Sequence, residues 1–421
     1  MTNTELNKAW ELLDDGDAAG VIRHLRFTAE QIPVADLARV VGKAAGLVGF
    51  GDLAEAAAEL AAEPDDARRL FDFGYACIEH GASYAAIPAL VEAVRLAPDS
   101  PVARTELVAA YEDELRHSDA VAVLRAAEPA LSDWPERYML AYHLLLAGTP
   151  DPARDVFARL AEPDDKWLWA RDRLRRMLDR TDTARGVRPL DHQDLRGWQF
   201  VLTGAVLAEI SPHGFAQGMT GRYAFHQDSH ASCRRGLDRL GLVLHAAGRA
   251  PTTVSLLDER GAHIMGLAAA EVLGLPAVPY EPDRPDTVVV AYRLDDVDEG
   301  TVRSLRERAP GQVLYEHASC WTDPPGVPAD VIGLLRQTGS APWEKQLTAD
   351  PEGSPPDDRD AAAVAADIVG APAETDTGDG ESPPDPDDAP AAFTAAISAA
   401  WAVGPRDRVA SAGPVRSSRF V

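Results

Sequence analysis

Apolar residues recur at a helical period through the first part of the chain, and over 66–132 the pattern reads twice in one register. Leu70, Phe73, Gly74 and Cys77 share one helical face, and Ala86, Leu90 and Ala93 share the next, before Pro98 stops it, because a proline ring cannot continue the hydrogen-bond ladder. About 34 positions on, a spacing typical of helix–turn–helix repeats, Leu107, Val108 and Tyr111 replace Phe73, Gly74 and Cys77. Ala120, Leu124 and Ala127 likewise replace Ala86, Leu90 and Ala93. A looser pair is predicted over 4–36, another around a turn at Gly51 and Asp52, and a further pair over 134–165. The amphipathic "KWLWARDRLRRMLDRTDTA" is expected to cap the array, since the last repeat of a stack otherwise exposes its apolar face.

Past 190 the period changes. Strands are predicted at 253–257, 277–280, 287–292 and 312–315, alternating with helices at 263–273 and 301–308. Val- and Leu-rich strands alternating with helices argue for a mainly parallel α/β sheet. From 348 the composition turns to Pro, Asp, Gly, Ala and Ser, which predicts a disordered acidic tail. One apolar helix interrupts it at about 390–403, with Phe393, Ile397 and Trp401 at i, i+4 and i+8. The expected fold is thus α plus α/β. A helical repeat solenoid fills 1–182, a small α/β domain 190–347, and a tail 348–421.

The repeat register resembles the tetratricopeptide repeat, with small residues at that family's close-contact positions (Gly74, Ala86, Ala93, Ala120, Ala127) and large ones between them (Leu90, Tyr111, Leu124). The chain departs from the family's opening Trp, having Leu70 and then Arg104 there, and from its second closing Pro, having Ser132. The resemblance implies a groove for a peptide or protein partner, lined by the first helix of each pair. Arg68, Asp72, Arg104, Tyr111 and Glu112 are the candidate contacts.

The stretch 252–315 is similar to a type I phosphoribosyltransferase, where an apolar strand ends in two acidic residues that hold ribose hydroxyls. That similarity puts Asp295 and Asp296 of "VVVAYRLDDVDEGT" in the role. Parallel sheets bind ligands beyond their C-terminal strand ends, so Asp258 and Arg260, in the loop after the first of these strands, join them as candidate ligand contacts. Asp298 and Glu299 stand where an anion loop wants bare amides, since phosphate binds backbone N–H groups and not carboxylates. The domain is therefore expected to keep the fold without catalysis, and no catalytic residue is assigned. The alternative is a phosphoribosyltransferase-like or nucleotide-binding enzyme or sensor.

Charge narrows the partners. The net charge is −26, which argues against nucleic acid, where Lys and Arg must neutralise phosphates, and against anionic membranes. Much of the excess is local, with 13 acidic residues against Arg359 alone over 350–388. The three cysteines show no paired spacing, which reads as a reduced, cytoplasmic chain. The opening residues lack the basic and apolar regions of a signal peptide, and no apolar run approaches the roughly 20 residues of a membrane helix. His226 and His230 lie at i and i+4 with Asp228 and Cys233 nearby. With no third ligand standing out, no metal and no cofactor are expected. The expected function is an intracellular protein-interaction scaffold, with the C-terminal apolar helix docking on its own chain or on a partner.

Overall fold

The computed structural model describes residues 4–347, 353–372, 376–381 and 384–418. It divides into two compact units, 1–171 and 172–420. The first is a stack of antiparallel helix pairs: α1 (Thr4–Asp14) with α2 (Ala18–Thr28), α3 (Val34–Val48) with α4 (Gly51–Ala62), α5 (Ala67–Glu79) with α6 (Ser83–Leu96), α7 (Pro101–Asp113) with α8 (His117–Ala126), and α9 (Tyr138–Leu146) with α10 (Pro150–Phe157). Each pair buries one stripe against its neighbours: Leu70, Phe73 and Cys77 on α5, then Ala86, Leu90 and Ala93 on α6. The register read from the sequence has a steric basis at Gly74. A Cβ there would lie 2.5 Å from Leu90 Cγ, so only glycine lets α5 and α6 approach this closely. Acidic and hydroxyl caps start several helices, with Asp66 accepting from the Arg68 and Arg69 amides and Ser100 from the Ala103 amide.

Helix α11 (Leu168–Arg185) is not simply a terminal cap. From Asp172 onward it belongs to the second unit. Arg180 donates to the carbonyls of Val201 and Leu202 at 2.9 Å each, and Arg176 pairs with Asp407. These ties draw the helix into the second unit and put the division at 171 instead of 182.

The second unit holds α12 (Leu195–Thr203), β1 (Val206–Leu207), β2 (Tyr223–Gln227), α13 (His230–Ala246), β3 (Thr253–Leu256), α14 (Arg260–Leu273), β4 (Ala277–Pro279), β5 (Thr287–Ala291), α15 (Glu299–Ser304), β6 (Val313–Cys320), β7 (Val331–Ser340), α16 (Ala361–Gly370) and α17 (Ala389–Ile397). The sheet order is β1-β7-β6-β5-β3-β4, with β2 also paired to β7, and every pairing between these strands is parallel. Chain order reverses between β3 and β5. Strand β4 lies outside β3, and the strands after it continue on the opposite side. Strand β5 is buried throughout, as the Val run of a two-sided sheet requires. Helix α14 packs on β3 and β5, and α13 on β6 and β7.

The expectation of a disordered tail is corrected for the residues described. Helix α16 packs on α14 and α13, and α17 on α13 and β1. Phe393, Ile397 and Trp401 are buried, with Phe393 edge-on to Phe200 at 5.8 Å between ring centroids. Acidic tail residues meet basic partners. Asp385 lies 2.6 Å from Arg196 and 3.3 Å from Arg239, Asp387 lies 2.9 Å from Arg239, and His213 lies 3.0 Å from Asp376. Composition counts the tail's charge but not its complement. Arg196 and Arg239 are buried in the body, where an unpaired charge is costly. Residues 348–352, 373–375 and 382–383 of this stretch lie outside the described residues.

Candidate functional site

Reversal of strand order between β3 and β5 creates a crevice beyond their C-terminal ends, the usual ligand position of an open parallel sheet. Its two flanking loops are those that carry Asp258 with Arg260 and Asp295 with Asp296. Here the chain occupies the crevice itself. Trp343, which follows β7, packs edge-on to Tyr292 at the end of β5, with centroids 5.0 Å apart and planes at 69°. Its Cζ2 would be 3.2 Å from a Cβ on Gly261, in the first turn of α14. The neighbouring Glu344 pairs with Arg293, which also holds Asp296. Arg260 donates to the carbonyls of Asp357 and Arg359 at 2.7 and 2.9 Å, and the Asp357 amide donates to the Trp343 carbonyl at 2.9 Å. Arg260 therefore fastens the chain's own later segment at this edge.

The helix N-termini beside the crevice are also filled. Glu259 accepts from the amides of Gly261 and Ala262 at 2.8 and 2.7 Å. Asp298 accepts from the Thr301 amide at 2.9 Å, and Ser229 from the Ser232 amide at 3.1 Å. An anion needs free amides, and carboxylates already occupy those of α14 and α15. Asp258 and Asp295 are exposed, as is Asp296 beside Arg293. The structure brings Asp295 and Asp296 into one short turn at 294–296.

Beneath the crevice, on the face covered by α13, lies a cluster that sequence reasoning saw only in part. Asp228 is buried at the end of β2, and its Oδ2 accepts from His317 Nε2 at 2.9 Å, from the Tyr292 hydroxyl at 3.0 Å and from Cys233 Sγ at 3.8 Å. Tyr315 Oη lies 2.9 Å from His317 Nδ1. His226 Nε2 lies 3.2 Å from Asp228 Oδ1. Burial raises the Asp228 carboxyl, but His317 and His226 outweigh it and hold it well below the usual carboxylate range. Burial and the Asp228 charge push the Cys233 thiol well up. His317 is 89 residues from Asp228 in sequence, so no local spacing could announce it. The parallel pairing of β6 and β7 and the packing of α13 bring them together.

On the opposite face of β6, Glu316 is fully buried and accepts the Leu294 amide at 2.8 Å. Burial pushes its carboxyl up to about 7. Its folded value thus exceeds the ordinary glutamate value of about 4.3. The folded state binds this proton more tightly, so stability from this group is fully present below about pH 4.3 and is lost as pH rises towards 7. Urea titrations of the full chain at several pH values should show Glu316→Gln gaining on the wild type by roughly 1 kcal/mol per pH unit across that window. A difference independent of pH would contradict this reading.

In the first unit the candidate groove residues separate. Arg68 is exposed and pairs with Asp72 at 2.8 Å, and Glu112 lies 3.6 Å from the buried His143. Arg104 and Tyr111 are corrected. Arg104 is buried and holds the buried Glu136. Tyr111 is buried, with the Arg116 guanidinium 4.8 Å from its ring centroid. An Arg in the repeat's opening apolar position has no aqueous exit here, and its buried ion pair with Glu136 is a packing contact. Sequence reasoning missed an apolar cleft lined by Val21, Ile22, Val48, Phe50, Leu53 and Tyr84. Ile22 and Val48 are each 47% exposed at its rim.

No family profile matches the chain, and no curated protein matches it. Among solved structures, a tetratricopeptide repeat protein from Parabacteroides merdae is similar over 47% of this chain and 91% of its own, at 13% identity and a TM-score of 0.25. The description of the first unit as a helical repeat rests on its own packing. The protein is a helical repeat followed by a parallel-sheet α/β unit, and no helix of the described residues is long and apolar enough to cross a membrane.

Proposed function

We propose that the chain is a protein-interaction scaffold. Its repeat unit holds a peptide or protein partner, and its α/β unit is a non-catalytic companion. The observation that carries this reading is the self-filled crevice: Trp343 and Glu344 occupy the place where a substrate would enter, and Glu259 and Asp298 occupy the amides a phosphate would need. Function then falls to the repeats. Their apolar cleft between Ile22 and Tyr84 offers an anchor site, of the kind that takes one apolar side chain of a peptide. Arg68, Asp72 and Glu112 are the proposed polar contacts, replacing the larger set that includes Arg104 and Tyr111. The burial of Phe393, Ile397 and Trp401 supports docking of the C-terminal apolar helix within its own chain, and a cytoplasmic setting suits the free cysteines.

Two measurements on the full chain test the proposal. Peptides selected from a random library should carry an apolar anchor and lose at least tenfold in affinity for the Ile22→Glu, Val48→Glu double variant. Thermal titrations with phosphoribosyl pyrophosphate, nucleotides and Mg²⁺ should leave Tm unchanged, because a ligand that binds the folded state must raise it. A rise abolished by Asp295→Asn with Asp296→Asn would overturn the scaffold reading in favour of an enzyme or sensor.

A further inference from the structure

The Asp228 cluster has no part in the scaffold reading, and its chemistry is distinctive. Asp228, Cys233 and His317 each present one ligand-type atom, and the three atoms lie within 4.8 Å of one another in a fully buried position. Oxygen, sulfur and imidazole nitrogen are the donors of tetrahedral zinc sites. Bonds of about 2.0 Å to N or O and about 2.3 Å to S put such donors roughly 3.3–3.8 Å apart. The observed separations from Asp228 Oδ2 are 2.9 Å to His317 Nε2 and 3.8 Å to Cys233 Sγ. They match a site that needs only small side-chain shifts to close around an ion.

The surroundings fit the same ion. A buried dication must be neutralised by its ligands, and an Asp carboxylate plus a Cys thiolate supply two negative charges while neutral His supplies none. Ligating imidazoles usually bond through their second nitrogen, which fixes the ring. Tyr315 Oη stands 2.9 Å from His317 Nδ1 to do this, and the Tyr292 hydroxyl supports Asp228 at 3.0 Å. His226 Nε2 is buried with no hydrogen-bond partner among the described residues, although it stands against the same carboxylate at 3.2 Å. Arg235 and Arg239 face Glu209 and are spoken for.

We propose that Asp228, Cys233 and His317 bind a single zinc ion, with His226 beside them for the fourth position, and that the ion ties the β2–α13 junction to β6. On binding, the Cys233 thiol gives its proton to solvent and its sulfur lone pair to the metal. On binding, His317 takes the neutral tautomer with its proton on Nδ1, donated towards Tyr315, in place of the Nε2 proton that otherwise faces Asp228, so Nε2 offers its lone pair. No redox step is involved.

The test uses the full chain purified without chelators. Elemental analysis should find about one zinc per chain, retained in Cys320→Ser and lost in Cys233→Ser. Protein produced with cobalt in place of zinc should show a thiolate-to-cobalt absorption in the near ultraviolet. That band identifies a cysteine ligand even if the Cys233 variant fails to fold, and its persistence in both Cys320→Ser and Cys77→Ser assigns it to the buried cluster. A purified chain that holds neither metal, and takes up neither when refolded with excess Zn²⁺ or Co²⁺ under reducing conditions, overturns the proposal. The cluster would then be a proton-bonded core network.

Discussion

Asp330→Ala is expected to cost about 3–5 kcal/mol of the second unit's stability, the range for removing one partner of a buried ion pair. Asp330 sits at the start of β7 with its side chain fully buried between two arginines. Arg308 donates to Oδ1 at 2.6 Å, Arg406 donates to Oδ2 at 2.6 Å, and the Leu314 amide donates to Oδ2 at 2.9 Å. Its own carbonyl accepts from the Trp401 indole at 3.2 Å. Burial raises the Asp330 carboxyl, but Arg308 and Arg406 outweigh it and hold it far below the ordinary value. A depressed folded value means the contribution is complete above the unfolded value of about 3.9 and is lost as pH falls below it. Alanine leaves Arg406 buried without its charge partner. Asp330→Leu with Arg406→Met should recover much of the loss, since apolar replacements of buried pairs are often near neutral. Urea unfolding of the full chain, followed by tryptophan fluorescence, gives the value. A cost under about 1 kcal/mol would show that water reaches the site, where ion pairs count for little.

Arg104→Ala should be comparably severe, and in the first unit. The Arg104 side chain is 3% exposed and its partner Glu136 is 2% exposed. Arg104 donates to Glu136 Oε1 and, at 3.0 Å, to the Pro98 carbonyl, and Glu136 Oε2 accepts from the Ser132 amide at 2.9 Å. This knot replaces the apolar stacking found at the equivalent Leu70, and it fastens the end of one repeat to the start of the pair formed by α9 and α10. Removing Arg104 strands a buried carboxylate, at about 3–5 kcal/mol. The two possible roles of Arg104 predict different results. A structural role lowers the urea midpoint, whereas a ligand contact would lower partner affinity and leave the midpoint unchanged. Circular dichroism during urea titration separates them.

Local signals account for what the sequence revealed. Helical period, a glycine required against Leu90, and Val-rich strands at β5 are all short-range features, and each survives as an element. The parallel α/β class followed from alternation alone. What stayed hidden depends on long-range pairing. Strand β7, the Trp343 plug and the Asp228–His317 contact arise from residues tens of positions apart. The tail was misread because composition reports how much charge a segment carries, not whether buried arginines such as Arg196 and Arg239 await it. The burial of Arg104 was not foreseen because repeat register locates a position in a helix pair but says nothing of a partner 32 residues on. Asp298, read from the sequence as a carboxylate beside a helix start, is found capping α15, whereas Glu299 pairs with Arg303 and the Glu259 cap of α14 was not singled out.

The bond between Asp330 and Arg406 also fixes an order of events during synthesis. Strand β7 brings β1 and β2 into the sheet, yet Asp330, the residue just before it, carries a charge whose arginine partner is Arg308 alone until position 406 has left the ribosome. Strands that pair across long sequence separations form late, after the entropy of closing the intervening chain has been met. The first unit, made of neighbouring helix pairs, can complete while the second is still being translated. The nascent second unit therefore passes through a stage with its sheet partly assembled and the apolar seats of Phe393, Ile397 and Trp401 uncovered. That interval is when this chain is most exposed to aggregation and to chaperones, and it closes only once residues 393–406 are available to pack.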